Sequence, residues 1–220
     1  FLFIITLMTS LRKSSNLRVA IVLLAAGEGS RMGSVPKALL HKDGKSLLER
    51  FCTAVKALHP VEFVVITGFH AAPIEQELNR LAKLMDLSIT IIHNENASTC
   101  QASSVRLALE SLDSAFDVVA MCLSDQPEIG EHELIALLNQ FVDRESHQDV
   151  VMPIVGGQRG NPAVFSKKAV DEMLQIPGMV CRSFMDQHPN RIKMFNSDNE
   201  AYILDVDTVA DIQKLGITRD

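Results

Sequence analysis

A three-layer α/β protein with a mostly parallel sheet is the architecture this 220-residue sequence predicts, and three observations carry the prediction. From Arg18 onward, short apolar runs rich in β-branched residues alternate with longer segments of helical period, the pattern of a sheet layered by helices. Hydrophobic residues make up 47% of the chain, enough to bury a core and too many for a disordered acidic chain. The length suits one domain, and no stretch rich in Pro, Gly or Ser marks a boundary. Residues 18–218 are expected to form that domain, with residues 1–17 an N-terminal extension outside it.

The expected strands are Arg18–Leu24, Val61–Thr67, Ser88–Ile92, Asp117–Leu123 and Asp149–Ile154, each a short run suited to burial on both faces. Between them, Ser46–His59, Pro73–Met85, Gln101–Leu112 and Glu131–Arg144 carry apolar residues at spacings of three and four and are expected helices. Ser46 stands three residues before Glu49 as a capping box, and Pro73 suits a first helical turn. Beyond Gly156 the rhythm breaks into GGQRGNP, a helix near Lys167–Leu174, a Met-containing segment to His188, then RIKMF and AYILDV before a last helix from Asp207. This region reads as an insertion that shapes a second wall of a cleft. Met173, Met179, Met185 and Met194 suit core packing or an adaptable apolar face of that wall.

Charge and composition exclude several functions. Lys and Arg number 21 against 27 Asp and Glu, a formal net charge of −6, so no overall positive field draws nucleic acid. Trp is absent and Tyr202 is the one tyrosine, too few rings for a single-strand stacking platform. Cys52, Cys100, Cys122 and Cys181 show no C-x-x-C spacing and read as buried small hydrophobes of a reducing cytoplasm. The apolar start, Phe1–Met8, is too short to span a bilayer, and its basic cluster follows where a secretory signal would have it precede. Met8 is the expected start of translation, and the expected protein is cytoplasmic with no membrane partner.

The most informative stretch is LLAAGEGSRMGSVPKALL, Leu23–Leu40. Gly27, Gly29 and Gly33 follow directly on a strand, so the chain can bend sharply and turn backbone N–H groups toward an anion, with Arg31 and Lys37 adding positive charge. The spacing is neither the G-x-G-x-x-G dinucleotide fingerprint nor a G-x-x-x-x-G-K-[ST] phosphate loop. Pro36 keeps Val35 out of the helical region, so the loop is expected to be long and semi-rigid.

This loop resembles the signature of nucleotidyltransferases that share the nucleotide-diphosphosugar transferase fold, a GT-A-like, Rossmann-like α/β/α arrangement. LSDQPEIG (Leu123–Gly130), GQRGNPAVF (Gly157–Phe165) and LDVDTVADI (Leu204–Ile212) resemble, in order, stretches of the molybdenum cofactor cytidylyltransferase family. The resemblance implies transfer of CMP from CTP to the phosphate of molybdenum-bound molybdopterin, with Mg²⁺ as cofactor, pyrophosphate as second product and an apo-molybdoenzyme as transient partner. Cytidylyl or guanylyl transfer to a sugar phosphate or methylerythritol phosphate is the alternative within the same chemistry, and a non-catalytic nucleotide- or cofactor-binding chaperone the alternative outside it.

On that resemblance Lys37 serves the α-phosphate and Arg31 the β- and γ-phosphates. Leu24, Ala25, Ala26, Gly27 and Gly29 approach the nucleotide, the Cβ of Ala26 narrowing the base pocket toward a pyrimidine. Asn94 and Ser104 contact base or ribose, and Cys100 with Gln101 replace the usual glycine-containing entry to the helix carrying Ser103 and Ser104. Arg159 and Asn161 face the acceptor. Asp125, just past a strand end, is the magnesium ligand or, on its residues alone, a turn opener before Pro127. Asp205, expected on a strand end facing the cleft, and Asp207 are candidates for a second ligand, with helix capping the competing role for Asp207. His41, His70 and His188 lack metal-ligand spacing.

Overall fold

The structure, a computed structural model, describes residues 17–97 and 101–219. Cys100 and the extension before Leu17 fall outside the described residues, as does the side chain of Gln101.

The strands are β1 (Val19–Ala25), β2 (His41–Lys42), β3 (Lys45–Ser46), β4 (Glu62–Thr67), β5 (Thr90–His93), β6 (Val118–Leu123), β7 (Val150–Val155), β8 (Gln158–Arg159), β9 (Ala163–Ser166) and β10 (Ile192–Asn196). The helices are α1 (Leu47–Leu58), α2 (Ala71–Met85), α3 (Gln101–Glu110), α4 (Glu131–Val142), α5 (Lys167–Gln175), α6 (Cys181–Gln187) and α7 (Val209–Lys214). All five expected strands form within two residues of their expected bounds. Ser46 caps α1 by accepting from the Glu49 amide at 3.0 Å.

The main sheet runs β10-β7-β9-β6-β1-β4-β5, with β8 appended to β7. β1, β4, β5 and β6 are mutually parallel; β9 lies antiparallel between β6 and β7, and β10 returns parallel to β7. Because side chains alternate across a strand, β1 feeds two cores. Ile21, Leu23 and Ala25 meet apolar residues of α1, α2 and α4 on one face. Ala20 and Val22 meet those of α3, α5 and α6 on the other. This is the expected three-layer arrangement.

The segment after Gly156 differs from its expectation. Its strands β9 and β10 extend the sheet, where a separate wall had been expected. Met173 and Met179 are buried in the second core, while Met194 is exposed on β10. The run AYILDV is a 3₁₀ turn over Glu200–Ile203, with Asp205 in extended chain after it. Tyr202 fills the core there, and its hydroxyl donates to the Glu133 carbonyl at 3.1 Å. The last helix begins at Val209, capped by Thr208 in a box with Asp211, which relieves Asp207 of the capping role. Cys52, Cys122 and Cys181 are buried free thiols, and burial, with Glu77 and Glu49 nearby, pushes Cys52 up to about 12. No helix among the described residues is long and apolar enough to cross a membrane.

Asp149 pins the extended half of the sheet. Its carboxylate, 5% exposed, accepts from the Ser166 hydroxyl at 2.9 Å and from Arg191 Nε at 2.7 Å, joining the starts of β7 and β10 to the end of β9. Burial works against the charge, but the hydrogen bonds from Arg191 and Ser166 outweigh it and hold the carboxyl below its ordinary 3.8. Asp149→Asn should therefore cost about 3 kcal/mol in denaturant unfolding at neutral pH, the range for breaking a buried pair. A depressed pKa contributes stability that is complete above 3.8 and fades as the pH falls through the folded value. The gap between variant and parent should narrow in acid.

Candidate active site

The chain lays down β1, β4 and β5 in one direction, then places β6 on the far side of β1. The connections leaving β1 and β6 diverge, and the crevice at their carboxyl ends is where open α/β sheets take ligands. A cleft of about 480 Å³ opens there, a volume suited to a small molecule.

The glycine loop forms its rim. Gly29 and Gly33 take left-handed φ angles of 67° and 80° around a 3₁₀ turn, Ser30–Met32. Met32 and Ser34 amides donate to the Gly29 carbonyl at 2.9 and 3.1 Å. A side chain at Gly29 would bring its Cβ to 2.3 Å from the Val35 carbonyl oxygen, so only glycine fits. Met32 anchors the loop in a third apolar cluster with Leu40, Leu47, Val206, Ile212 and Ile217. Pro36 then leads into a second 3₁₀ turn, Lys37–Leu39, which turns Lys37 into the cleft.

Lys37 Nζ donates to Asp125 Oδ2 at 2.9 Å and to Asp207 Oδ1 at 2.6 Å. Burial alone would weaken its hold on the proton, but the charges of Asp125 and Asp207 and the hydrogen bonds they accept prevail, keeping the ammonium above its ordinary 10.5. Arg31 Nη1 reaches Asp207 Oδ2 at 3.3 Å, with a side chain 75% exposed and free to swing. The Val206 amide donates to the Asp125 carbonyl at 2.9 Å, which ties the segment bearing Asp207 to the end of β6. Asp205 lies behind this group with Oδ1 buried and without a hydrogen-bond partner. Burial, then the charges of Asp125 and Asp207, push its carboxyl up to about 6.

Most of the expected site residues converge. Leu24, Ala25, Ala26, Gly27, Gly29, Arg31, Lys37, Ser104, Asp125 and Asp207 all line the cleft. Asn94 does not: it is buried, and its amide donates to the Ser103 and Ser104 hydroxyls at 2.9 and 2.8 Å, so it organises α3. Asp205 also stays out of the lining, turned inward beside Gln126. Arg159 is exposed and paired with Asp186 at 2.7 Å. Asn161 donates its backbone amide to the Tyr202 carbonyl at 2.8 Å, and neither acceptor candidate lines the cleft. No residue between Gly156 and Leu204 does. The sequence reading missed Phe69, Ile74 and Ala97, which add apolar surface to the lining. Their one available signal was position, since Phe69 follows the carboxyl end of a parallel strand.

Asp125 and Asp207 offer hard oxygen donors to one point. Among the described residues no three His, Cys, Asp or Glu side chains form a ready metal cage. Two carboxylates nevertheless suit Mg²⁺, which keeps water and substrate phosphate oxygens in its shell.

Sheet order and crevice together define a Rossmann-like α/β protein with its ligand site at a switch point of the sheet. Within that class the chain belongs to the MobA-like NTP transferase domain family, whose model matches residues 21–192. It is 28% identical over 215 residues to the bifunctional protein GlmU of Thermobifida fusca, an alignment covering 87% of this chain and 43% of that protein. The chain spans less than half the length of the curated relatives it matches. Among solved structures, Rv0371c of Mycobacterium tuberculosis superposes with a TM-score of 0.69 at 21% identity, covering 90% of this chain and 97% of that one. That protein has also been solved as a complex with manganese, which aligns at a TM-score of 0.63 and 20% identity over 90% of this chain and 97% of that one. The 4-diphosphocytidyl-2C-methyl-D-erythritol synthase of Anaerococcus prevotii reaches 0.69 at 15% identity, covering 93% and 96%.

The loop geometry makes its own prediction. Gly29→Ala should strain the backbone by about 1–3 kcal/mol and release the rim. Amide exchange at Met32, Gly33 and Ser34 should accelerate while the amides of β1 and β6 stay protected.

Proposed function

We propose that this protein is a nucleotidyltransferase that moves CMP from CTP to the phosphate of molybdenum-bound molybdopterin. The observation that carries the reading is the placement of Lys37: an ammonium at a sheet switch point, beside a glycine loop, fixed by carboxylates from two other segments. An oxygen of the acceptor phosphate attacks the α-phosphorus, and the bond from that phosphorus to the bridging oxygen breaks. Pyrophosphate leaves with the bonding electron pair. The nucleophile is already ionised, so no side chain needs to take a proton, and the demand is for positive charge on the phosphate oxygens.

Lys37 meets that demand at the α-phosphate, and Arg31 turns from Asp207 to the leaving pyrophosphate. Leu24, Ala25, Ala26 and Gly27 contact the nucleotide with backbone groups, and Ser104 reaches it from α3. Glu28, Asp125 and Asp207 outnumber Lys37 and Arg31 in the cleft lining, so a triphosphate must bring its own cation. Bound at Asp125 and Asp207, Mg²⁺ would neutralise phosphate charge. Arg159 at the end of β8 and Asn161 in the β8–β9 loop, both outside the cleft lining, are the proposed acceptor contacts, with Arg159 exchanging Asp186 for the acceptor's phosphate, and an apo-molybdoenzyme receives the product.

The likeness to the Anaerococcus synthase favours a second reading, cytidylyl transfer to a small phosphate such as methylerythritol phosphate. Pyrophosphate release with each nucleoside triphosphate, against molybdopterin cofactor and small phosphates in turn, separates the two; no release with any acceptor refutes both. Lys37→Ala should lower kcat roughly a hundredfold to a thousandfold. Asp125→Ala should abolish stimulation by divalent cation, read from the same assay across a magnesium titration.

A further inference from the structure

The cleft lining joins the charged group of Arg31, Lys37, Asp125 and Asp207 to an apolar group of Phe69, Ile74 and Ala97 that has no assigned ligand contact. Phe69 stands there with 47% of its surface open, among the few large apolar side chains exposed among the described residues. Scattered exposed phenylalanines are ordinary, but this one lines the cleft that holds Lys37.

Its backbone is held on every side. Gly68 lies under it with no room for a side chain: a Cβ there would come within 2.6 Å of the Ala97 Cβ and 2.8 Å of the Ala26 carbonyl oxygen. The Phe69 amide faces that same Ala26 carbonyl at 3.4 Å, and the His70 ring Nε2 meets the Glu28 carbonyl at 2.8 Å. The turn bearing Phe69 is thereby fastened to both halves of the glycine loop, Ala26 at its start and Glu28 toward its tip. A ring exposed to water yet carried on so constrained a backbone is a preformed surface, and its neighbours Ala26, Ala97 and Ile74 continue it without charge.

We infer that Phe69 is the stacking wall for the nucleobase, a binding residue that supplies affinity without choosing among bases. This inference rests on the nucleotidyltransferase reading. A nucleoside triphosphate needs both kinds of surface that this lining supplies, an apolar one for its flat ring and a charged one for its polyanion and cation. Aromatic faces accept every base, so Phe69 contributes alike to all, while discrimination falls to groups that read the base edge.

The test measures direct binding by calorimetry in the presence of Mg²⁺, using CTP, GTP and inorganic tripolyphosphate with parent, Phe69→Ala and Phe69→Trp. Phe69→Ala should weaken CTP and GTP by a common factor of roughly tenfold to a hundredfold and leave tripolyphosphate unchanged. Phe69→Trp should restore nucleotide affinity. With the side chain half exposed, melting temperatures should agree, which separates lost stacking from lost fold. Unchanged nucleotide affinity in Phe69→Ala, equal weakening of tripolyphosphate, or a shift in the CTP-to-GTP ratio overturns the assignment while the transferase reading stands. Failure of the parent to bind any nucleoside triphosphate overturns both.

Discussion

Everything in the cleft is arranged around one ammonium group. Lys37 Nζ lies between Asp125 and Asp207, and these three residues belong to the loop after β1, the end of β6 and the stretch before α7. Opposite unit charges at 4 Å attract by about 4 kcal/mol at an effective dielectric of 20, so one partly buried lysine can hold two carboxylates that would otherwise repel. The arrangement is stable without ligand and chemically unfinished. On the proposed reading Lys37 is shared differently once phosphate oxygens arrive, and Arg31, more exposed than its partner Asp207, has the freedom to follow. Asp205 adds a carboxyl whose charge the site disfavours, and its proton affinity rises accordingly.

The overall charge of −6 first argued against a polyanion ligand, and it does argue against a basic surface. A pocket follows different rules. What matters is how many cations face inward and what neutralises them at rest; here the acidic partners are part of the same constellation.

Much of this was legible in the chain. Continuous β-branched runs identify β1, β4, β6 and β7 because parallel strands are buried on both faces and carry no polar alternation. The loop from Leu23 to Leu40 announces itself through glycines that need left-handed backbone and cations that need a reason to be there. What stayed hidden depended on distant partners. AYILDV has the composition of a strand, but Tyr202 turns inward to meet Glu133, and its segment coils. Asn94 has the right position for a ligand contact, yet two serines on α3 take its amide. Asp205 and Asp207 look equivalent on paper; the Asp125 carbonyl fixes the amide between them, and only Asp207 is left facing Lys37. Phe69 carries no signal beyond its place after the end of β4, since a lone aromatic in a turn acquires meaning only from the cleft beside it.

The third apolar cluster, where Met32 and Leu40 pack against Val206, Ile212 and Ile217, closes the site from a distance of some 170 residues along the chain. The family's matched region ends at residue 192, well before it. Domains fold as units, so this pocket is finished only once the segment bearing Asp207 joins the sheet. Without residues 205–219, Lys37 would keep one of its two carboxylates and Met32 would lose Val206, Ile212 and Ile217 beneath it. Building the sheet and completing the pocket are therefore separate demands on the chain: the strands end at Asn196, and the second carboxylate on Lys37 and the packing under Met32 come from beyond them.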